Sequence, residues 1–192
     1  AAQARWRSRR VAERAAACSR LVDDFVARGP EIASEITWQM GRPARHSPNE
    51  VRGFEERARH MIAIAEEALA PVDAGPRPGF RRFIRREPLG VVLTIAPWNY
   101  PYLTAVNSVV PALLAGNAVI VRHSAQTPLC SERMAEAALS AGLEPGLLQA
   151  LHASHADTAR LVASPGIDFV AFTGSVGAGR AVQQAAALRF IG

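Results

Sequence analysis

The chain contains no lysine: all 22 of its basic residues are arginine, against 17 acidic residues, for a formal net charge of +5. One basic residue type at every position reads as a compositional bias, and the high isoelectric point follows from it. Arginines do cluster, at Arg5, Arg7, Arg9, Arg10 and Arg14 and again at Arg77, Arg81, Arg82, Arg85 and Arg86. Neither cluster is interleaved with stacking aromatics or falls in a nucleic-acid-binding motif, so solvated faces and subunit contacts are preferred to a polynucleotide site. Cysteine is almost as scarce, with only Cys18 and Cys130. Two thiols without metal-ligand spacing give neither a disulfide framework nor a metal centre, and they fit a reducing, cytoplasmic setting. Cys18 falls on the apolar stripe Val11, Ala15, Cys18, Leu21, Val22, Phe25 of an amphipathic helix and reads as a small core residue.

Charge is missing altogether from Leu89 to Val121. That length would satisfy a membrane span, but Pro97, Pro101 and Pro111 interrupt it, and Asn99, Asn107, Gly116 and Asn117 sit inside it. A buried strand, helix and second strand fit the stretch better. The first thirty residues are charged and helical with no apolar segment, which argues against a signal peptide. With 192 residues, 49% of them hydrophobic and 20% charged, the chain is long enough for one well-buried soluble domain.

What is present alternates in type. The periodicity predicts helices over 5–28, 31–40 and 48–70, a Pro/Gly-rich loop over 72–79, and an arginine-rich edge strand over 80–88 that could belong to a separate sheet. Four strand–helix units follow: strands 91–96, 118–122, 147–151 and 168–172, with helices 101–115, 128–141, 156–163 and 176–187. Thr127 and Pro128 suit the N-cap and first position of the second of these helices. Such alternation argues for an α/β fold with a doubly wound, mostly parallel sheet, preceded by N-terminal helices. The chain divides into a helical part (1–79), a bridging strand (80–88) and an αβ core (89–192).

Three stretches carry candidate chemistry. Pro97-Trp98-Asn99-Tyr100-Pro101 closes the first core strand and places an amide at the carboxyl edge, where open α/β sheets bind ligands. An Asn between prolines is also a common turn former. Val119 to Pro128 ends a buried strand in Arg122. Phe172 to Arg180 is a glycine-rich turn opening a helix, suited to phosphate. As a P-loop it is a near miss, because Arg180 and Ala181 stand where Lys and Ser/Thr would hold phosphate and Mg²⁺. Local sequence alone leaves open a plain tight turn.

Together, PWNYP (97–101), NAVIVRHSAQTP (117–128) and AFTGSVGAGRAV (171–182) closely resemble the coenzyme domain of the aldehyde dehydrogenase superfamily, and the similarity runs from the N-terminal helices to Gly192. The resemblance implies an NAD- or NADP-dependent oxidation of an aldehyde through a cysteine thiohemiacetal. It implies that Asn99 is an oxyanion donor and that Ile95, Ala96, Pro97 and Trp98 line the nicotinamide side. Arg122 would bond the adenosine ribose where Lys is usual, Gly174 and Ser175 would hold the pyrophosphate, and Phe172 would lie beside the coenzyme, with Ser124, Ala125 and Thr173 completing the set. It further implies a homodimer or homotetramer joined through the 80–88 strand, and a small-molecule aldehyde as partner, with no nucleic acid and no membrane.

The departures are Arg122 itself, the Ala153-Ser154-His155 turn where a glycine is usual, and Ala125 where many NAD-preferring relatives have Glu. The general-base Glu and nucleophilic Cys motifs are not found, so the chain is expected to be the coenzyme half of a larger enzyme and inactive alone.

Overall fold

In the computed structural model, which describes residues 1–187, 189 and 191–192, β3 (Val91–Ala96) is bonded on both edges. On one side lies β4 (Ala118–His123) and on the other β6 (Phe169–Phe172), all parallel. β5 (Leu148–Ala150) pairs with β4 and completes the order β5-β4-β3-β6. An uncharged, β-branched run such as Val91 to Ile95 is what a strand buried on both faces needs. Its register is exact residue by residue: Ile95 is opposite Arg122 on β4 and Phe172 on β6.

Period-two alternation sorts the strands' side chains between two cores. Val92, Ala96, Val119 and Val121 pack in a cluster with α2 (Val11–Ala27), α4 (Pro48–Ala63), α6 (Pro101–Leu114) and α7 (Leu129–Ser140). Leu93, Ile95 and Ile120 face the other way, against Val162 of α8 (His155–Val162) and Val182 and Ala185 of α9 (Val176–Ala186). Helices on both faces make the sheet doubly wound, as the alternation of the sequence requires. Gly90, at φ +136°, opens β3 next to Asp168, whose carboxylate accepts from Val91 N at 2.8 Å.

Several elements differ from the sequence expectation. The first helix is two: α1 (Ala2–Arg7) and α2 are separated at Ser8-Arg9-Arg10, where Arg10 is extended and its N–H donates to the Glu13 carboxylate at 2.9 Å. Trp6, buried, donates Nε1 to the Leu113 carbonyl at 2.8 Å, which pins α1 to the end of α6. This contact across the chain was invisible to a local periodicity. After α3 (Gly29–Met40), the third helix turns at Ile64 into a short α5 (Ala65–Leu69). The 80–88 strand shrinks to β2 (Phe83–Ile84), which pairs antiparallel with β1 (Val72–Asp73) inside the expected loop. Both strands are exposed, and with prolines at 71, 76, 78 and 88 the ladder has no room to lengthen. Thr127 is not the expected N-cap: Pro128 holds that position in α7, and the Thr127 hydroxyl is buried, capping nothing among the described residues. Among the described residues, no helix is long and apolar enough to cross a membrane.

Candidate functional site

The carboxyl ends of β3, β4 and β6 are laced together beyond the strands. Ala96 O accepts from Ser124 N at 3.1 Å, and Ile95 O accepts from Thr173 N at 3.0 Å. Three segments far apart in sequence therefore leave the sheet side by side, and over them opens a cleft of about 660 Å³. Its walls include Ile95, Ala96, Pro97, Trp98, Asn99, Arg122, Ser124, Phe172, Thr173, Gly174 and Ser175. Of the coenzyme positions expected from the resemblance, Ala125 is not in the wall. It is exposed in the Ser124–Thr127 turn, and a methyl side chain there does not reach inward.

Asn99 stands on the rim, exposed. Its Oδ1 accepts from Tyr100 N at 3.1 Å, which fixes the amide's orientation and leaves Nδ2, a pure donor, as the free end. The turn-forming role and a donor role are thus compatible in one side chain. Tyr100, the residue before α6, is non-helical at φ −138° and ψ 67°, and Pro101 begins the helix.

Arg122 is buried, and its Nε and Nη2 both donate to the Ala153 carbonyl, at 3.3 and 3.1 Å. Burial pulls its pKa below the ordinary arginine value, yet a guanidinium remains charged at neutral pH. Part of its fork is spent on the protein, and the rest faces the cleft.

The glycine-rich turn has a structural explanation. A Cβ on Gly174 would stand 2.6 Å from Cζ of Phe172, and one on Gly179 would stand 3.2 Å from Cε1 of the same ring. The ring of Phe172 therefore lies on these two glycines. Ser175 caps α9 by accepting from Ala178 N at 3.2 Å, and no acidic residue occupies the helix's first turn, so its amide end stays positive toward the cleft.

The sequence reading missed the second wall. His155, Thr158 and Ala159 of α8 and Ala178, Ala181 and Val182 of α9 also line the cleft. The signal for α8 was Ser154 with Asp157 three residues on: the serine accepts from Asp157 N at 3.1 Å and starts the helix at His155. Neither thiol is in the wall. Cys18 and Cys130 are buried, and loss of hydration pushes both up to about 12.

The family model described as "Aldehyde dehydrogenase family" matches residues 1–191. The chain belongs to the aldehyde dehydrogenase family. It is 38% identical over 169 residues to the geranial dehydrogenase of Castellaniella defragrans, a match that covers 88% of this chain and 35% of that enzyme. Among solved structures it is similar to the NADP-dependent glyceraldehyde-3-phosphate dehydrogenase of Bacillus halodurans complexed with NADP, with a TM-score of 0.89 and 30% identity. That superposition covers 99% of this chain and 41% of the other. It is equally similar to the NAD-dependent aldehyde dehydrogenase of Sinorhizobium meliloti, with a TM-score of 0.90 and 30% identity over 97% of this chain and 37% of that one. This aldehyde dehydrogenase chain thus spans little more than a third of the length of such relatives, and the αβ sheet with its cleft lies within that third.

Proposed function

We propose that the chain is the coenzyme-binding portion of an NAD(P)-dependent aldehyde dehydrogenase, with the cleft over β3, β4 and β6 as the dinucleotide site. The observation that carries this reading is the convergence at one sheet edge of an apolar floor (Ile95, Ala96, Phe172), a buried cation (Arg122) and the amide end of α9. A dinucleotide offers a matching order of groups: an apolar nicotinamide face, a pyrophosphate, and ribose hydroxyls or a 2′-phosphate. The cleft volume lies in the range of sites that enclose such ligands. Ile95 to Trp98 would flank the nicotinamide, Gly174 and Ser175 the pyrophosphate, and Arg122, Ser124 and the Ala125 turn the adenosine ribose.

When bound, the coenzyme supplies the acceptor for the hydride that leaves the aldehyde carbon. The protein's part is to position and stabilise. A thiolate adding to the aldehyde carbonyl turns its oxygen into an oxyanion, and the free Nδ2 of Asn99 is set to donate to it. Cys18 and Cys130 are buried and neither lines the cleft, so on this reading the nucleophile comes from the catalytic part of the longer enzyme and this chain alone is inactive. Exposed Phe83 and Ile84 on β2 would meet a second copy, giving a dimer or tetramer in light scattering.

The experiment is steady-state aldehyde oxidation by the full-length enzyme and its Asn99→Ala variant. Removing one such donor costs about 2.7 to 4 kcal/mol of barrier, so kcat should fall roughly a hundred- to a thousandfold with little change in KM. An unchanged kcat would overturn the assignment of Asn99.

A further inference from the structure

The corner that carries Asn99 is gripped from outside the sheet by the segment between α3 and α4. Gly41, left-handed at φ +72°, ends α3 and turns the chain so that Arg42 reaches across to the corner. Its Nη2 donates to the Asn99 carbonyl at 2.6 Å, and its guanidinium stacks over the Tyr100 ring at 4.8 Å. Nη1 donates to Oε1 of Glu50 at 2.8 Å. Glu50 is almost fully buried, and its other oxygen accepts from the backbone N–H groups of Tyr102 and Leu103, each at 3.1 Å.

One carboxylate thereby serves two ends of the same corner. α6 has no acidic residue in its own first turn, and Glu50, from another helix, supplies the anion that its amide end attracts. Through Arg42 the same carboxylate fixes the backbone of Asn99, two residues before the helix begins. On the sheet side the corner is fixed by Ala96 O with Ser124 N. Between those two anchors Pro97-Trp98-Asn99 forms a bend whose outer end is tied to the rest of the protein by Arg42.

We propose that Arg42, oriented by Glu50, is a positioning residue for the Asn99 amide. This rests on the reading of Asn99 as the oxyanion donor. Arg42 touches no reacting group: it holds the Asn99 carbonyl, and with it the direction in which Nδ2 points. A donor displaced by about an ångström can cost roughly a hundredfold in rate, while binding of the partners is little affected. Lysine cannot replace arginine here, because a single ammonium replaces a fork that reaches the Glu50 carboxylate and the Asn99 carbonyl on separate nitrogens while its plane stacks on Tyr100.

The test uses the full-length enzyme as wild type, Arg42→Lys, Asn99→Ala and the double variant, with kcat, aldehyde KM, coenzyme Kd and thermal midpoint measured for each. Arg42→Lys keeps a cation beside the buried Glu50 and is expected to fold with a midpoint near that of wild type. Its kcat should fall about tenfold or more, with KM and coenzyme Kd within about twofold. In the double variant kcat should be no lower than in Asn99→Ala alone, since a residue that acts by aiming Nδ2 has nothing left to aim. If Asn99→Ala leaves kcat unchanged, the oxyanion reading fails and this proposal with it. If Asn99→Ala lowers kcat but Arg42→Lys does not, or if the two losses multiply, the positioning role alone is overturned.

Discussion

The ring of Phe172 lies directly on Gly174, so close that a Cβ there would sit 2.6 Å from its Cζ. Both residues line the cleft, and the glycine is therefore the seat of a cleft wall as well as part of a phosphate-type turn. Gly174→Ala should tip the Phe172 ring into the cleft and weaken coenzyme binding by about tenfold, equivalent to about 1.4 kcal/mol. Gly177→Ala makes the control, because a Cβ there meets nothing within 4 Å. That change should leave coenzyme Kd unaltered and raise stability by about 0.4 to 1 kcal/mol. Equal Kd values for both variants would contradict this view of the turn.

His123 ends β4 on the face opposite to the cleft, buried, with Nε2 at 3.1 Å from the Pro101 carbonyl and Nδ1 without a partner. The bond to a carbonyl requires the proton on Nε2, and burial with Nδ1 unpartnered favours the neutral ring over the imidazolium. Burial pushes its pKa down from 6.5 to about 4, against the smaller opposing effect of the Pro101 bond. Because the folded value lies below the unfolded one, its contribution to stability is whole above pH 6.5 and is lost as pH falls toward 4. The loss amounts to about 3 kcal/mol. Urea titrations between those pH values should show this slope in the wild type, and a smaller one by about one proton in His123→Asn. Parallel slopes would contradict it.

If the cleft is the dinucleotide site proposed above, coenzyme choice turns on Arg122 and on Ala125, in the exposed turn at the end of the same strand. No carboxylate stands at 125 to repel a 2′-phosphate, and the part of the Arg122 fork not bonded to Ala153 can meet one. Hydrogen bonds to charged groups contribute about 1.5 to 3 kcal/mol, a roughly ten- to hundredfold effect on affinity. The full-length enzyme should accept NADP at least as readily as NAD in kcat/KM, and Ala125→Glu should shift the ratio toward NAD. A wild-type preference for NAD of about a hundredfold would rule this out.

The strand–helix alternation from Val91 onward was legible because each unit carries its own period and its own punctuation. So was the sheet edge that gathers Asn99, Arg122 and Gly174, since parallel strands joined by helices bring their carboxyl ends together. What escaped was set by contacts across the chain. Trp6 reaching Leu113, and Glu13 drawing in the Arg10 amide, split the expected 5–28 helix just ahead of its apolar stripe. Nothing local in the sequence sets Glu50 apart from other charges at a helix start, yet it is buried and accepts from the first amides of α6, whose own first turn has no acidic residue. The second cleft wall came from the α8 and α9 faces, whose small residues, such as Ala159 and Ala181, carry no chemical signal of their own.

Calorimetric titration of NAD and NADP into the full-length protein and its Ala181→Trp variant tests the dinucleotide cleft most directly. Ala181 is exposed to solvent on the wall of the cleft, so an indole there fills the site without disturbing the core. The wild type should bind coenzyme saturably at one site, and the variant, with an unchanged thermal midpoint, should bind at least about tenfold more weakly. Absence of binding by the wild type, or undiminished affinity in the variant, would contradict the cleft as the coenzyme site.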